Sequence, residues 1–399
     1  MSQDRQYLGP NTSKYMGLLI SRNLLRLISF IFYVFFIWTV VTKYHSVFLA
    51  GMIPAFSMLG YLLVLIPEGH ILDTRSRSRT IFISVAALTV TYATLFGFDS
   101  LFDIYAVDLV SSALTWIISD SFHSLTKEMV PDEHLQKAIS TNQMATGVDD
   151  IVGILVGGLF IYIGMFFMVA TLVSVSLLSL YLARPRFRSN PGGEKTSFRG
   201  VFSIIRKMYP FMVIGFVLNG LFIAIDVYSS GLIYMIYGYP PLYYMLFLLG
   251  FPVGVLLGGI IVMKLHGKIN EPVAVGLGIL IVGTLMSVIP FNSMVAVDPF
   301  LTASMGVVAS IVNIAIGTII IRAVPNELTG RFNAFATIFF AGGSPLMAVV
   351  FSALAGLVYF PYVMSVAGLV AAILCIPGYL SVKGMKWQVA AETQESTVS

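Results

Sequence analysis

Twelve stretches of this chain are apolar for long enough to form membrane-crossing helices, and short polar connections separate them. They fall at 17–42, 46–66, 79–98, 101–124, 138–162, 166–183, 209–232, 241–263, 272–290, 300–322, 332–356 and 361–382. About 20 residues at ~1.5 Å rise cover ~30 Å of hydrocarbon, and a helix satisfies its own backbone there. A β-barrel would need polar and apolar residues to alternate, and these runs lack that period. Only 11% of residues are charged and 57% are hydrophobic. A soluble globule carries about 25% charged residues, so much of this exterior must face lipid. The expected fold is all-α, polytopic and membrane-embedded.

The charges orient the spans. With the N-terminus in the cytoplasm, all lysines and arginines except Lys43 fall in cytoplasmic connections or adjacent helix ends, a 22-to-1 division of 23. That asymmetry is the positive-inside rule, and it places both termini in the cytoplasm. The net charge of +4 comes from residues spread between apolar runs, so no nucleic-acid surface is expected. Cys375 is the single cysteine, which excludes an intramolecular disulfide. The first apolar run is too long for a cleaved leader and reads as a retained span.

The longest internal polar segment, "RPRFRSNPGGEKTSFRG" at 184–200, follows the sixth span. It divides the chain into a bundle at 1–183, a cytoplasmic linker with a short surface helix at 184–208, and a second bundle with a tail at 209–399. "VPDEHLQKA" from Val130 and "VPNELTGRF" from Val324 echo each other at equivalent places in the two halves. Lys137 and Arg331 stand at the same offset from the proline, which suggests internal duplication.

Spans two and three are joined by "GHILDTRSRSRT" at 69–80. This segment resembles a loop signature of the major facilitator superfamily: glycine, three residues, aspartate, a basic residue, then glycine and further basics. Gly69 and Asp73 keep the spacing, Thr74 and Ser76 replace the first basic residue and the glycine, and Arg77 and Arg79 supply the basic end. Between spans eight and nine, Gly259, Lys264, Gly267 and Lys268 are similar to the second-half version, with Met263 at its acidic position. Pro325, Glu327, Gly330 and Arg331 resemble the connection between spans ten and eleven. In span five, Gly153, Gly157 and Gly158 are similar to the glycine signature of antiporter branches, although Ile154 stands where those carry proline. The resemblance implies two pseudo-symmetric six-helix bundles, with solute bound between them and exposed alternately to each side. It also implies that Gly69, Asp73, Arg77, Arg79, Gly259, Lys264, Lys268, Glu327 and Arg331 form a cytoplasmic latch. Glu68, Glu128, Asp132 and Glu133 are available there as acidic partners for the arginines. Gly153 and Gly157, four apart, lie on one helix face and allow close helix packing.

Ionised side chains inside hydrocarbon cost ~2.5–3.5 kcal/mol each near the centre, and so they face protein or water. Asp149 and Asp150 are the sharpest pair, pointing about 100° apart on one helix. One can face a cavity and exchange a proton while the other faces a seam; the structural alternative is a pair satisfied by arginine, serine or backbone. Arg22 and Arg26 share a face of span one, with Arg26 the deeper candidate for an acid or an anionic solute group. Asp108, Ser112, Trp116 and Asp120 recur at steps of four in span four, as a cavity lining or a packing seam. Asn219, Phe222, Asp226 and Ser230 make a similar stripe in span seven, where Asp226 is a gate candidate.

These features point to a secondary active transporter that exports a small organic solute, with protons as the coupling ion and a monomer in the cell membrane as the working unit. No Walker motif, metal site, organic cofactor or enzyme constellation is expected. The alternatives are an uptake symporter, a facilitator, and a non-transporting receptor or scaffold.

Overall fold

The computed structural model describes residues 13–74, 76–97, 100–130, 132–184, 199–265, 270–292, 294–324 and 326–384. Helices occupy nearly all of them. In chain order they are α1 (Ser13–Tyr44), α2 (Val47–Thr74), α3 (Arg77–Thr94), α4 (Leu101–Met129), α5 (Asp132–Ile163), α6 (Met165–Leu182), α7 (Arg199–Gly231), α8 (Pro241–Leu265), α9 (Glu271–Val288), α10 (Asp298–Ala323), α11 (Asn326–Leu357) and α12 (Phe360–Ile373). Among the described residues, ten helices are long and apolar enough to cross a membrane. The other two have evident reasons for falling short. α3 opens on Arg77 and Arg79 and carries Ser78, Thr80, Ser84, Thr89, Thr91 and Thr94 within 18 residues. In α11 the apolar stretch is the shorter one at Gly342–Ala355.

The helices overrun the apolar stretches. α5 has 32 residues, which is about 48 Å at 1.5 Å per residue and more than the ~30 Å hydrocarbon. Starts and stops follow local chemistry. Ser100 and Asp103 form a reciprocal capping box ahead of α4, which satisfies two amide donors that the first turn leaves open. Between α5 and α6 the chain turns at Gly164, whose φ of 110° and ψ of 162° lie where essentially only glycine goes. A Cβ there would meet nothing within 4 Å. Gly164→Ala is therefore expected to cost about 1–3 kcal/mol of backbone strain alone, read as a lower melting temperature of the purified protein.

Two compact units divide the chain. One comprises Met1–Lys43 and Ile53–Glu194; the other comprises Tyr44–Met52 and Lys195–Ser399. The first residues of α2 thus belong with the second unit, which no composition shift marks.

Within each unit the seams reveal helix direction. In the first, Gly153 of α5 packs on Leu27 and Phe30 of α1, and Gly157 packs on Ile31 and Val34. The numbers rise together, so α1 and α5 run the same way. Ser57, Gly60 and Tyr61 of α2 meet Asp108, Leu109 and Trp116 of α4, also in parallel. By contrast, Gly17 and Ser21 of α1 meet Leu182 and Ser179 of α6, in the antiparallel sense. The second unit repeats the pattern. Gly215, Gly220 and Tyr228 of α7 meet Phe340, Gly343 and Phe351 of α11 in parallel. Gly250, Gly254 and Gly258 of α8 meet Pro299, Ala303 and Val307 of α10 in parallel. Gly276 and Gly283 of α9 meet Tyr379, beyond α12, and Ala372 of α12 in reverse order. Within each unit, the paired helices that run together share parity and the pair that runs in opposite directions differs in it, as successive crossings of a bilayer require. The pairs α1–α5 and α2–α4 correspond to α7–α11 and α8–α10.

Candidate functional site

The α1–α5 seam changes character along its length. Its glycine end is closed by backbone contact: a Cβ at Gly157 would stand 3.1 Å from the Ile31 carbonyl oxygen. Gly158 is buried beside it. One turn earlier the seam becomes polar. Arg22 and Arg26 on α1 face Asn142, Thr146 and Asp150 on α5, each set spaced by four and so each on one helix face.

The two arginines are held differently. Arg22 is buried, at 9% exposure. Its Nη1 donates to Asn142 Oδ1 at 2.6 Å and to Thr146 Oγ1 and Asn23 Oδ1 at 3.2 Å. These acceptors are neutral. The guanidinium also lies 5.9 Å from the Phe122 ring centroid, within cation–π range. Arg26 instead makes a two-pronged ion pair, Nε to Asp150 Oδ1 at 3.0 Å and Nη2 to Oδ2 at 3.2 Å. Planar fork on planar carboxylate fixes both orientation and charge. The side chains retain 34% and 23% exposure, so the pair is accessible as well as satisfied.

Asp149 is the next residue, turned about 100° around α5. Its Oδ2 is buried with no hydrogen-bond partner among the described residues. Arg26, Arg22 and Asp150 are all within its electrostatic reach. The two adjacent acids are therefore unequal: Asp150 is clamped, and Asp149 keeps an acceptor open. Their place inside apolar spans marks all four charges in the sequence but leaves Asn142 and Thr146 unmarked. Their spacing from Asp150 was the available signal.

The span-four stripe turns toward α2 over much of its length. Asp108 accepts from Ser57, Ser112 Oγ donates to the Ser57 carbonyl at 2.6 Å, and Trp116 lies on Tyr61 with centroids 4.1 Å apart. Asp120 is partly buried. On α7, Asn219 is exposed and donates to the Gly215 carbonyl of its own helix at 2.9 Å. Phe222 and Asp226 are partly buried and Ser230 is buried, with Tyr244 of α8 electrostatically close to Asp226. Asn219 and Asp226 thus lie in the second unit, whereas the arginine–aspartate seam lies in the first.

At the expected latch, α2 continues as helix through Gly69 and Asp73 to Thr74, and α3 begins at Arg77. The connection is therefore much shorter than the 69–80 segment read from sequence. Arg77 is partly buried and Arg79 exposed. Lys264 is exposed in the last turn of α8, where its charge complements the helix dipole, and Gly259 is partly buried one turn before it. Lys268, Gly267, Arg75, Pro325 and linker residues 185–198 lie outside the described residues. So do the side chains of Glu68, Asp73, Glu128, Asp132, Glu133, Glu327 and Arg331.

The sequence matches the family model of the Major Facilitator Superfamily over residues 18–348. No curated protein sequence matches it. Among solved structures, a POT family transporter in complex with 5-aminolevulinic acid superposes with a TM-score of 0.77 at 11% identity, covering 96% of this chain and 100% of that one. A bacterial homolog of the human lysosomal transporter Spinster, inward-facing and unoccupied, gives 0.68 at 14% identity over 96% of each chain. A D-xylose-proton symporter gives 0.69 at 13% identity, over 92% and 98%. At such identities the likeness is one of fold.

Proposed function

This chain belongs to the Major Facilitator Superfamily, and from that membership we propose that it is a secondary active transporter exporting a small organic solute in exchange for protons. It works by alternating access, as a monomer in the cell membrane, with twelve spans in two six-helix bundles and both termini in the cytoplasm. The linker at 184–208 joins bundles at 1–183 and 209–399, and its last ten residues, 199–208, are the first turns of α7 rather than a separate surface helix.

One observation carries the reading: adjacent acids in a membrane helix, one clamped by Arg26 and the other with an unpartnered oxygen. Asp150 keeps the Arg26 charge compensated, and Asp149 exchanges a proton. A proton on Asp149 removes a negative charge from the cluster. Its release restores that charge and lets Asp149 compete with Asp150 for Arg26. A two-partner contest of this kind links occupancy to side-chain arrangement, and hence to the balance between access states. Arg26, Trp116, Asp120, Asn219 and Asp226 are proposed as solute-facing or gating groups. The basic helix ends at Arg77, Arg79 and Lys264 belong to the cytoplasmic latch.

A thermal-shift screen of the purified protein against organic solutes identifies a ligand, and proteoliposomes with imposed pH gradients then assign the coupling. Accumulation opposite to an inward proton gradient is the expected result. Accumulation along that gradient would assign uptake by symport, equilibration without a gradient would assign facilitation, and no saturable transport would reject a transporter. Asp149→Asn is expected to abolish solute-induced proton release while retaining ligand binding. Full release in this variant would overturn the assignment.

A further inference from the structure

A second acid in the first unit has no cation at all. Asp108 on α4 is 3% exposed and lies inside a membrane-length apolar helix. No lysine, arginine or histidine among the described residues pairs with it; its hydrogen-bond donor is the Ser57 hydroxyl of α2, 2.8 Å from Oδ1 and 2.9 Å from Oδ2. One hydroxyl carries one proton, so Ser57 satisfies one carboxylate oxygen at a time. The Ser57 backbone is itself fixed, because Ser112 of α4 donates to its carbonyl. From α3, Tyr92 is 0% exposed, and its hydroxyl is buried without a hydrogen-bond partner. Ser29 of α1, Ser111 of α4 and Asp108 are its polar neighbours. Ser111 and Thr115 spend their own hydroxyl protons on α4 carbonyls. Among the described residues, Tyr92 is thus the titratable group close to Asp108 from a neighbouring helix, and Ser29, Ser57 and Ser111 are alcohols.

An ionised carboxylate in such a place carries a desolvation penalty that a single hydroxyl hydrogen bond offsets only in part. A buried oxygen left without a partner calls for an unseen proton, water or ion. We propose that Asp108, Ser57 and Tyr92 form a monovalent-cation site, separate from the Arg26–Asp150 seam, which holds one positive charge as either a proton or Na⁺. Hard oxygen donors, a single negative charge and no nitrogen or sulfur ligand suit a small hard monovalent ion. A divalent ion would leave an uncompensated charge in the same cage. Because Ser57 and Asp108 come from α2 and α4, and Tyr92 from α3, the bound charge ties three helices of one unit together.

The test uses the full chain purified in detergent, with NaCl exchanged for choline chloride at constant ionic strength. It needs no transported solute, so its failure and failure of the transport reading are distinguishable. If Na⁺ is the ligand, the melting temperature rises with Na⁺ and radiolabelled Na⁺ binds saturably at one site. Both responses vanish in Asp108→Asn, and Ser57→Ala weakens the affinity about tenfold. If the proton is the ligand, Na⁺ has no effect, and difference infrared spectra show a protonated-carboxyl band at neutral pH. That band disappears in Asp108→Asn and shifts in Ser57→Ala, which removes a hydrogen bond without removing the acid. Absence of both the Na⁺ response and the carboxyl band from the wild-type protein would overturn the site. So would persistence of whichever is seen in a folded Asp108→Asn variant. Should that variant not fold, an unchanged affinity and band in Ser57→Ala would overturn it instead.

Discussion

Arg26→Gln is expected to abolish transport and to lower stability by about 2 kcal/mol. Removing one partner of a fully buried ion pair costs about 3–5 kcal/mol, because the other charge is left uncompensated. Here the figure is reduced because Arg26 and Asp150 retain 34% and 23% side-chain exposure, which lets water screen the remaining carboxylate. The loss is nevertheless larger than that of a surface pair, since Asp149 adds a second acid beside Asp150. Asp150→Asn leaves Arg26 beside Asp149, whose open oxygen can accept it, so its stability loss should be the smaller. The double variant Arg26→Gln/Asp150→Asn replaces the ion pair by two amides and should recover most of the stability lost in Arg26→Gln, because position 150 no longer carries an uncompensated charge. Transport should stay lost in the double variant, because the charge contest with Asp149 has gone. A double-mutant cycle of melting temperatures, with solute flux measured on the same preparations, separates the two effects. Wild-type flux and an unchanged melting temperature in Arg26→Gln would remove the pair from both roles.

The same residues show what a sequence displays and what it withholds. Asp149, Asp150, Arg22 and Arg26 stand out because a charge interrupts an apolar run, and the four-residue spacing of the arginines gives their common face. Their partners do not stand out. Arg26 meets Asp150 across 124 positions, and no local period encodes that distance. Arg22 is satisfied by Asn142 and Thr146, which are neutral and carry no charge to mark them along α5. Asp108, Ser112 and Trp116 are legible as a stripe, but that α2 covers them is a tertiary fact. Apolar residues give out at Gly69, which marks a connection in the sequence, whereas α2 continues to Thr74. Hydropathy marks where lipid ends. A helix ends only where a breaker or cap stops it, and residues 69–74 contain no proline. Glycine is similarly half-readable: Gly153 and Gly157 resemble a known signature, whereas the longer series at Gly250, Gly254 and Gly258 carries no such mark.

That series supports the largest stability effect expected in the second unit. Gly254 of α8 sits against the Ala303 backbone of α10, with a Cβ falling onto the carbonyl oxygen and 2.7 Å from its carbon. Gly306 of α10 returns the contact against the Phe251 carbonyl. Thr302 donates across the same seam to the Phe247 carbonyl at 2.9 Å. Lipid tails are as apolar as leucine, so close van der Waals contact and such interhelical bonds, rather than escape from water, hold the pair together. Neither backbone can rotate away as a flexible side chain would, so an added methyl must separate the helices and with them the contacts above and below. Gly254→Ala is expected at the upper end of the ~1–3 kcal/mol range for overpacking, and Gly254→Leu should leave no monodisperse protein on size exclusion. Gly317, also on α10, supplies the control, because a Cβ there meets nothing within 4 Å. Gly317→Ala should be neutral or stabilising by up to about 1 kcal/mol, through helix propensity alone. Equal melting temperatures for Gly254→Ala and Gly317→Ala would mean that α8 and α10 are not held at backbone contact.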